Sequence, residues 1–200
     1  MNLYTLTTSQ DNCNNFLASG ELVEKKSKFI SYVYRISNEE EANKYVEDIK
    51  KNNKSARHVV YIYNYLKNNI VNFSFSDDGE PRGTGTKAIY ELLVKENITN
   101  ICIIIVRYFG GILLGAGPLS RAYLNSARNA IIKCNKKELY KYIEMEYIIS
   151  YQRYQQIKSK LDNYMKKEDI KEVDLKFDEK VTISFKAKSD IVSKVNSMFL

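Results

Sequence analysis

Two glycine-bearing segments hold most of the residues whose types and spacing could do chemistry. In the first, Ser76 to Gly85, Asp77, Asp78 and Glu80 place three acids within four positions among Gly79, Gly83 and Gly85, with Pro81 and Thr84 between. Glycines permit backbone angles closed to other residues, so such a loop can turn amides toward an anion or acids toward a cation. Two readings follow. One is a metal or phosphate site closed by the start of the next helix; the other is a structural turn whose acids cap amides and pair with arginines. The segment lacks the alternating Asp ligands of an EF-hand and the Gly-Lys-Ser/Thr close of a P-loop. Gly83 to Ala88 matches the spacing G-x-G-x-x-A, but no strand-ending acid follows about 20 residues on, as a dinucleotide site requires.

The second segment runs from Val106 to Tyr123 and joins Arg107, Tyr108 and Phe109 to Gly110, Gly111, Gly115, Gly117 and Arg121. Arg107 leaves an apolar strand, where an unpaired charge is costly, so it needs a carboxylate or phosphate partner. Positions 77, 78 and 80 supply the internal candidates. Arg121, Asn125 and Arg128 share one face of the helix that follows, at i, i+4 and i+7. That face either tracks a phosphate backbone or is simply solvated. Tyr61, Tyr63 and Tyr65 lie on one face of a strand with Arg57, as a base-stacking surface or as cross-strand pairs in a half-buried sheet.

The elements that must position these residues are readable from periodicity. Residues 20–35 alternate as strands, with Phe29 and Val33 on one face. Ser37 and Glu40 have capping-box spacing, and Ala42, Tyr45, Val46 and Ile49 then recur as on a helix. Arg57 to Tyr65 and Val71 to Ser76 read as a hairpin turning at residues 67–69. A helix follows from about Thr86 to Lys95, then a doubly buried strand from Ile101 to Val106. Gly117-Pro118 starts the next helix, with Pro in its favoured first position. Residues 133–137 read as a polar break, predicting domains at 1–136 and 137–200. Beyond it the pattern is β-α-β-β-α: a strand to Ile149, a helix through Tyr154, Ile157 and Leu161, strands 170–177 and 181–187, and a closing helix. The fold class is α+β, the second unit being a ferredoxin-like sandwich without its final strand.

Composition removes several function classes. The 200 residues contain 8 glycines and 2 prolines, so collagen-like and linker-rich readings fail. Three separated cysteines, Cys13, Cys102 and Cys134, and the single His58 exclude a disulfide framework and a Cys-x-x-Cys zinc site. They leave a Cys102–His58 dyad as the one nucleophilic pairing, unless Cys102 is a small hydrophobe in its strand. No metal and no cofactor is expected. The longest apolar run is far below the ~20 residues of a membrane span and no secretory leader is visible, so a soluble cytoplasmic protein is expected. The net charge of +7 divides as +4 over residues 1–134 and +3 over 135–200. It favours anionic partners, though a Lys-, Asn-, Ile- and Tyr-rich composition alone produces it.

Several motifs stand in one order: Lys25-Lys26-Ser27-Lys28-Phe29-Ile30, Ala56-Arg57-His58, Asp77-Asp78-Gly79-Glu80-Pro81 with Gly83-Thr84, Val106-Arg107-Tyr108-Phe109-Gly110-Gly111, Leu114-Gly115-Ala116-Gly117 and Arg121-Ala122-Tyr123. From about residue 20 to 130 this resembles the IMPACT/YigZ family, with Pro118 and Ser120 where Gly and Val are more usual. The resemblance implies an N-terminal domain of the ribosomal protein S5 domain 2-like type and a C-terminal domain similar to the last domain of elongation factor G. Eukaryotic members regulate translation, and no settled catalytic activity comes with the family. The expectation is therefore a non-enzymatic, translation-associated regulatory protein binding RNA, the ribosome or a translation factor. Lys25, Lys28, Arg121, Asn125 and Arg128 would form the nucleic-acid face. The alternative is an enzyme handling a nucleotide or phosphorylated metabolite through its Gly-rich loops.

Overall fold

The computed structural model describes residues 2–8, 15–68 and 70–199. Cys13, and Asn69 of the expected turn, lie outside the described residues. The chain divides into two compact units, Met1–Leu139 and Tyr140–Leu200.

The first unit contains β1 (Leu3–Thr7), β2 (Phe16–Glu24), β3 (Ser27–Arg35), α1 (Glu39–Asn52), β4 (His58–Lys67) and β5 (Ile70–Ser76). It continues with α2 (Lys87–Lys95), β6 (Ile101–Tyr108), α3 (Ala116–Ile131) and β7 (Asn135–Leu139). Five strands form one antiparallel sheet in the order β2-β3-β6-β4-β5. Both faces are covered, which is why the central strand β6 is apolar at nearly every position. Ile101, Ile103 and Ile105 join Ile89 and Leu93 of α2 and Leu119, Ala122, Tyr123 and Ala127 of α3. Cys102, Ile104 and Val106 join Ala42, Val46 and Ile49 of α1 on the opposite face. Tyr61, Tyr63 and Tyr65 pack in that α1 layer, and Tyr63 donates to Glu39 at 2.8 Å, so cross-strand packing rather than an open stacking platform describes them.

Two local readings shift by one register. Asn38, not Ser37, caps α1: its side chain accepts from the Glu41 amide at 2.9 Å, and Glu41 accepts from the Ser37 amide at 2.9 Å. Asn caps as well as Ser, and the Asn38/Glu41 frame offers the same reciprocal bonding one residue later. The α3 helix begins at Ala116, placing Pro118 inside the first turn, where its missing N–H is still harmless. A larger difference concerns residues 133–137. Asn135–Leu139 forms β7 and pairs antiparallel with β1, from Leu3 opposite Leu139 to Thr7 opposite Asn135.

The hairpin of β2 and β3 turns over two lysines in the left-handed region, Lys25 at φ 44° and Lys26 at φ 65°, as a tightly twisted two-residue turn demands. Gly110 lies directly against that turn. A Cβ there would stand 2.1 Å from the Lys26 carbonyl carbon and 2.5 Å from the Ser27 nitrogen, both backbone atoms that cannot swing away. Gly110→Ala is therefore expected to lower stability by about 1–3 kcal/mol, the usual cost of overpacking. Urea denaturation should show a reduced midpoint with unchanged slope; an unchanged midpoint would contradict the close packing.

The second unit runs β8 (Tyr142–Ile149), α4 (Tyr151–Lys166), β9 (Ile170–Phe177), β10 (Val181–Lys188), a 3-10 turn (Ser189–Ile191) and α5 (Val192–Phe199). Its antiparallel sheet has the order β8-β10-β9. Val181, Ile183, Phe185 and Ala187 of β10 form its core with Ile157 and Leu161 of α4 and Val195 and Met198 of α5. No helix among the described residues is long and apolar enough to cross a membrane.

Candidate anion-binding end of the N-terminal sheet

One end of the five-stranded sheet gathers the end of β6, the start of β4, the 77–85 loop and the start of α3. Asp77 organises the loop. One of its oxygens accepts from the Gly83 amide at 2.6 Å; the other accepts from the Gly85 amide, the Thr86 amide and the Thr86 hydroxyl, each at 3.0 Å. Both oxygens are thereby committed to the turn. Asp78, at φ 47°, accepts from the Val59 amide at 2.7 Å and from Lys50 at 3.0 Å. Gly79 continues the turn at φ 84° with its α-carbon beside the His58 ring, and the Asp78 carbonyl lies 2.8 Å from His58 Nδ1. The Thr84 hydroxyl donates to the Pro81 carbonyl.

Two successive left-handed residues turn Glu80 inward, where its side chain is only 4% exposed. Arg107 reaches it from β6 with Nη1–Oε1 at 2.5 Å, and the Tyr123 hydroxyl of α3 donates to the same oxygen at 2.7 Å. His58 Nε2 stands 3.7 Å from the second oxygen. The guanidinium sits between Phe29, 5.5 Å from the ring centre, and Phe109, at 5.6 Å. Burial, reinforced by the Glu80 carboxylate, raises the Tyr123 hydroxyl far above its ordinary range, so it stays a donor. Arg107 Nε has no partner among the described residues.

A cleft of about 400 Å³ opens beside this network. Arg57, His58 and Arg107 give it polar walls, while Phe109, Leu113 and Leu119 give it apolar ones. Gly115 precedes α3 at φ 76° and offers no side-chain cap, so the first amides of the helix are left open. Of the residues singled out from sequence, Asp77, Asp78, Gly79, Glu80, Pro81, Gly83, Thr84, Arg107, Phe109 and Gly115 meet at this end. Tyr108 lies on the α1 face instead, its hydroxyl on Asn53 at 2.7 Å. Gly110 and Gly111 form the exit from β6, and Gly111 is left-handed at φ 84°.

Arg121, Asn125 and Arg128 are exposed along α3, opposite its buried Ala122, Ala127 and Ala130. Lys25 is exposed in the hairpin turn, and Lys28 pairs with Glu21 at 3.0 Å. The Cys102–His58 dyad is not assembled. His58 pairs opposite Arg107, five residues along β6 from Cys102, which is roughly 17 Å at strand rise. Cys102 also faces the α1 layer, where burial holds its thiol well above the ordinary range. Among the described residues, no cluster of His, Cys, Asp and Glu could hold a metal ion. Two participants went unread in the sequence, Tyr123 and His58. Tyr123 counted only as part of an apolar stripe, yet a buried tyrosine hydroxyl in such a stripe signals a polar partner.

A doubly covered antiparallel sheet with a buried acid–arginine–tyrosine network at one end, followed by a small three-stranded unit, defines a two-unit mixed α/β protein. Residues 25–131 match the Impact N-terminal domain, and the chain belongs to the IMPACT family. It is 40% identical over 111 residues to IMPACT family member YvyE of Bacillus subtilis, covering 56% of this chain and 51% of that protein. It is 35% identical over 129 residues to IMPACT family member YigZ of Escherichia coli, covering 62% and 63%. The match thus spans between half and two thirds of the length of these curated relatives. A crystal structure of a hypothetical protein is similar over 98% of this chain and 90% of its own, with TM-score 0.60 and 25% identity.

Proposed function

We propose that this protein acts by binding rather than turnover, in a translation-related regulatory role, with the phosphate backbone of RNA, free or in the ribosome, as its partner. The observation that carries this reading is the exposed face of α3. Arg121 and Arg128 stand there about 10 Å apart along the helix axis with no carboxylate in ion-pair reach among the described residues. Asn125 lies between them, and Lys25 adds a further exposed cation on the hairpin turn. Lys28 contributes despite its Glu21 partner, because an exposed ion pair is worth little and exchanges readily for a phosphate. The loop acids support binding over catalysis, since Asp77, Asp78 and Glu80 are already engaged by internal donors.

The units correspond, in this reading, to a ribosomal protein S5 domain 2-like fold and a ferredoxin-like fold lacking its last strand. The order β8-β10-β9, with the third strand between the first two, supports the second assignment. Family membership supports the translation context.

Fluorescence anisotropy with a short oligoribonucleotide across a salt series tests the reading. Affinity should fall steeply with salt, and Arg121→Gln with Arg128→Gln should cut the logarithmic slope by about 1.4, or ~0.7 per lost phosphate contact on a single strand. Ribosome pelleting in the same buffers extends the measurement. No binding to RNA or ribosomes at low salt would overturn it, and a partner captured equally after nuclease treatment would replace RNA with a translation factor.

A further inference from the structure

We propose that the cleft at the start of α3 binds a phosphomonoester group, a site distinct from the helix face assigned to the RNA backbone. Three observations carry it. Helix α3 is 16 residues long and begins without a cap or an acid in its first turn. The Ala116 and Gly117 amides have no acceptor among the described residues, and a Cβ on Gly115 would meet nothing within 4 Å. Open amides at a helix start attract anions both as donors and through the helix dipole.

Arg107 supplies the second observation and does not depend on the first. Its side chain is 5% exposed, yet Glu80 takes only Nη1 and Nε is left without a partner. The planar guanidinium sets Nε–H and one Nη2–H side by side, the edge that receives two oxygens of an oxyanion. A buried donor left unmet is costly, and an anion in the cleft would remove that cost.

Charge and shape supply the third. Arg57 lines the same cleft, and Arg121 lies one turn into α3, its Nη1 3.7 Å from where a Gly117 Cβ would be. Glu80 also lines the cleft, but Arg107 and Tyr123 already engage its carboxylate. Helix amides, a guanidinium edge and Arg57 together offer donors for three oxygens, more than a carboxylate presents. Phe109 and Leu113, 44% and 83% exposed, offer apolar surface to the rest of the ester.

Two sources share this chemistry, a free nucleotide and the 5′-phosphorylated end of an RNA. Calorimetric titration should use inorganic phosphate, AMP, and one short oligoribonucleotide in 5′-phosphorylated and 5′-hydroxyl forms. Saturable binding of phosphate and AMP at millimolar concentrations or below is expected. AMP binding at least as tightly as the phosphorylated oligomer identifies a free nucleotide, and the reverse order identifies an RNA end; either supports the site. Ala116→Asp is the deciding variant. An acid in the first turn suits the helix, so the melting temperature should hold or rise while phosphate affinity falls by about tenfold or more. Arg57→Gln should weaken phosphate without unfolding, because the side chain is exposed. Undiminished phosphate binding by Ala116→Asp, or no saturable binding by the unaltered protein, would overturn the proposal. The 5′-hydroxyl oligomer reads the α3 face separately, so loss of its binding with phosphate binding intact overturns the RNA reading alone.

Discussion

Replacing Arg107 by Met lowers stability by about 3–5 kcal/mol, the cost of leaving one member of a buried ion pair uncompensated. The carboxylate left behind is Glu80, 4% exposed, with only the Tyr123 hydroxyl at 2.7 Å to answer it. The size of the loss comes from the stranded charge rather than from the strength of the pair. Adding Glu80→Leu should therefore recover most of it, and adding Tyr123→Phe should recover more by removing the hydroxyl then left without an acceptor. Urea denaturation of the single, double and triple variants measures this. A double variant no more stable than Arg107→Met would show that the pair itself, not the isolated charge, carries the energy.

Asp77→Ala should cost about 2–4 kcal/mol, because three backbone amides and a hydroxyl lose one charged acceptor together. Gly83, Gly85 and Thr86 would then lack a partner in a loop held by few other bonds. Asp77→Asn separates charge from geometry. Its single oxygen can keep the Gly85 and Thr86 donors, but its amide nitrogen then faces the Gly83 N–H, at 2.6 Å from the native oxygen. A loss of about 1–3 kcal/mol is expected from that one unsatisfied donor. Amide exchange at Gly83 should quicken in both variants, at Gly85 and Thr86 mainly in Asp77→Ala. Equal protection in Asp77→Ala and the unaltered protein would contradict the role given to Asp77.

The sheet and its helices were legible because burial imposes a period. The all-apolar run of β6 announced two covered faces, and the stripe through Leu119, Ala122 and Ala127 announced α3. The β1–β7 ladder was not legible, since Asn135-Lys-Lys-Glu-Leu139 is exposed at Asn135, Lys136 and Lys137 and pairs through its backbone with residues at the other end of the unit. Backbone pairing across such a distance leaves little mark on side-chain pattern. For the site, sequence pointed Arg107 at the acids of the 77–85 loop but left three candidates within four positions. What selects Glu80 is the pair of positive φ angles at Asp78 and Gly79, which turns the next side chain inward. Chain direction of that kind lies below the resolution of spacing arguments. His58 was discounted as solitary, whereas register with Arg107 across β4 and β6 brings it beside Glu80.

The β1–β7 ladder also sets a clock. Leu3 to Thr7 emerge early during synthesis, but their partners come last in the unit, at Asn135 to Leu139. At ~5–20 residues per second, the first strand waits roughly 7–26 s for its complement. Throughout that interval Leu6, 1% exposed once folded, has no strand beside it. The nascent chain thus carries an unmatched strand for nearly the whole time its unit is being made, and assembly of the N-terminal unit ends where its translation ends.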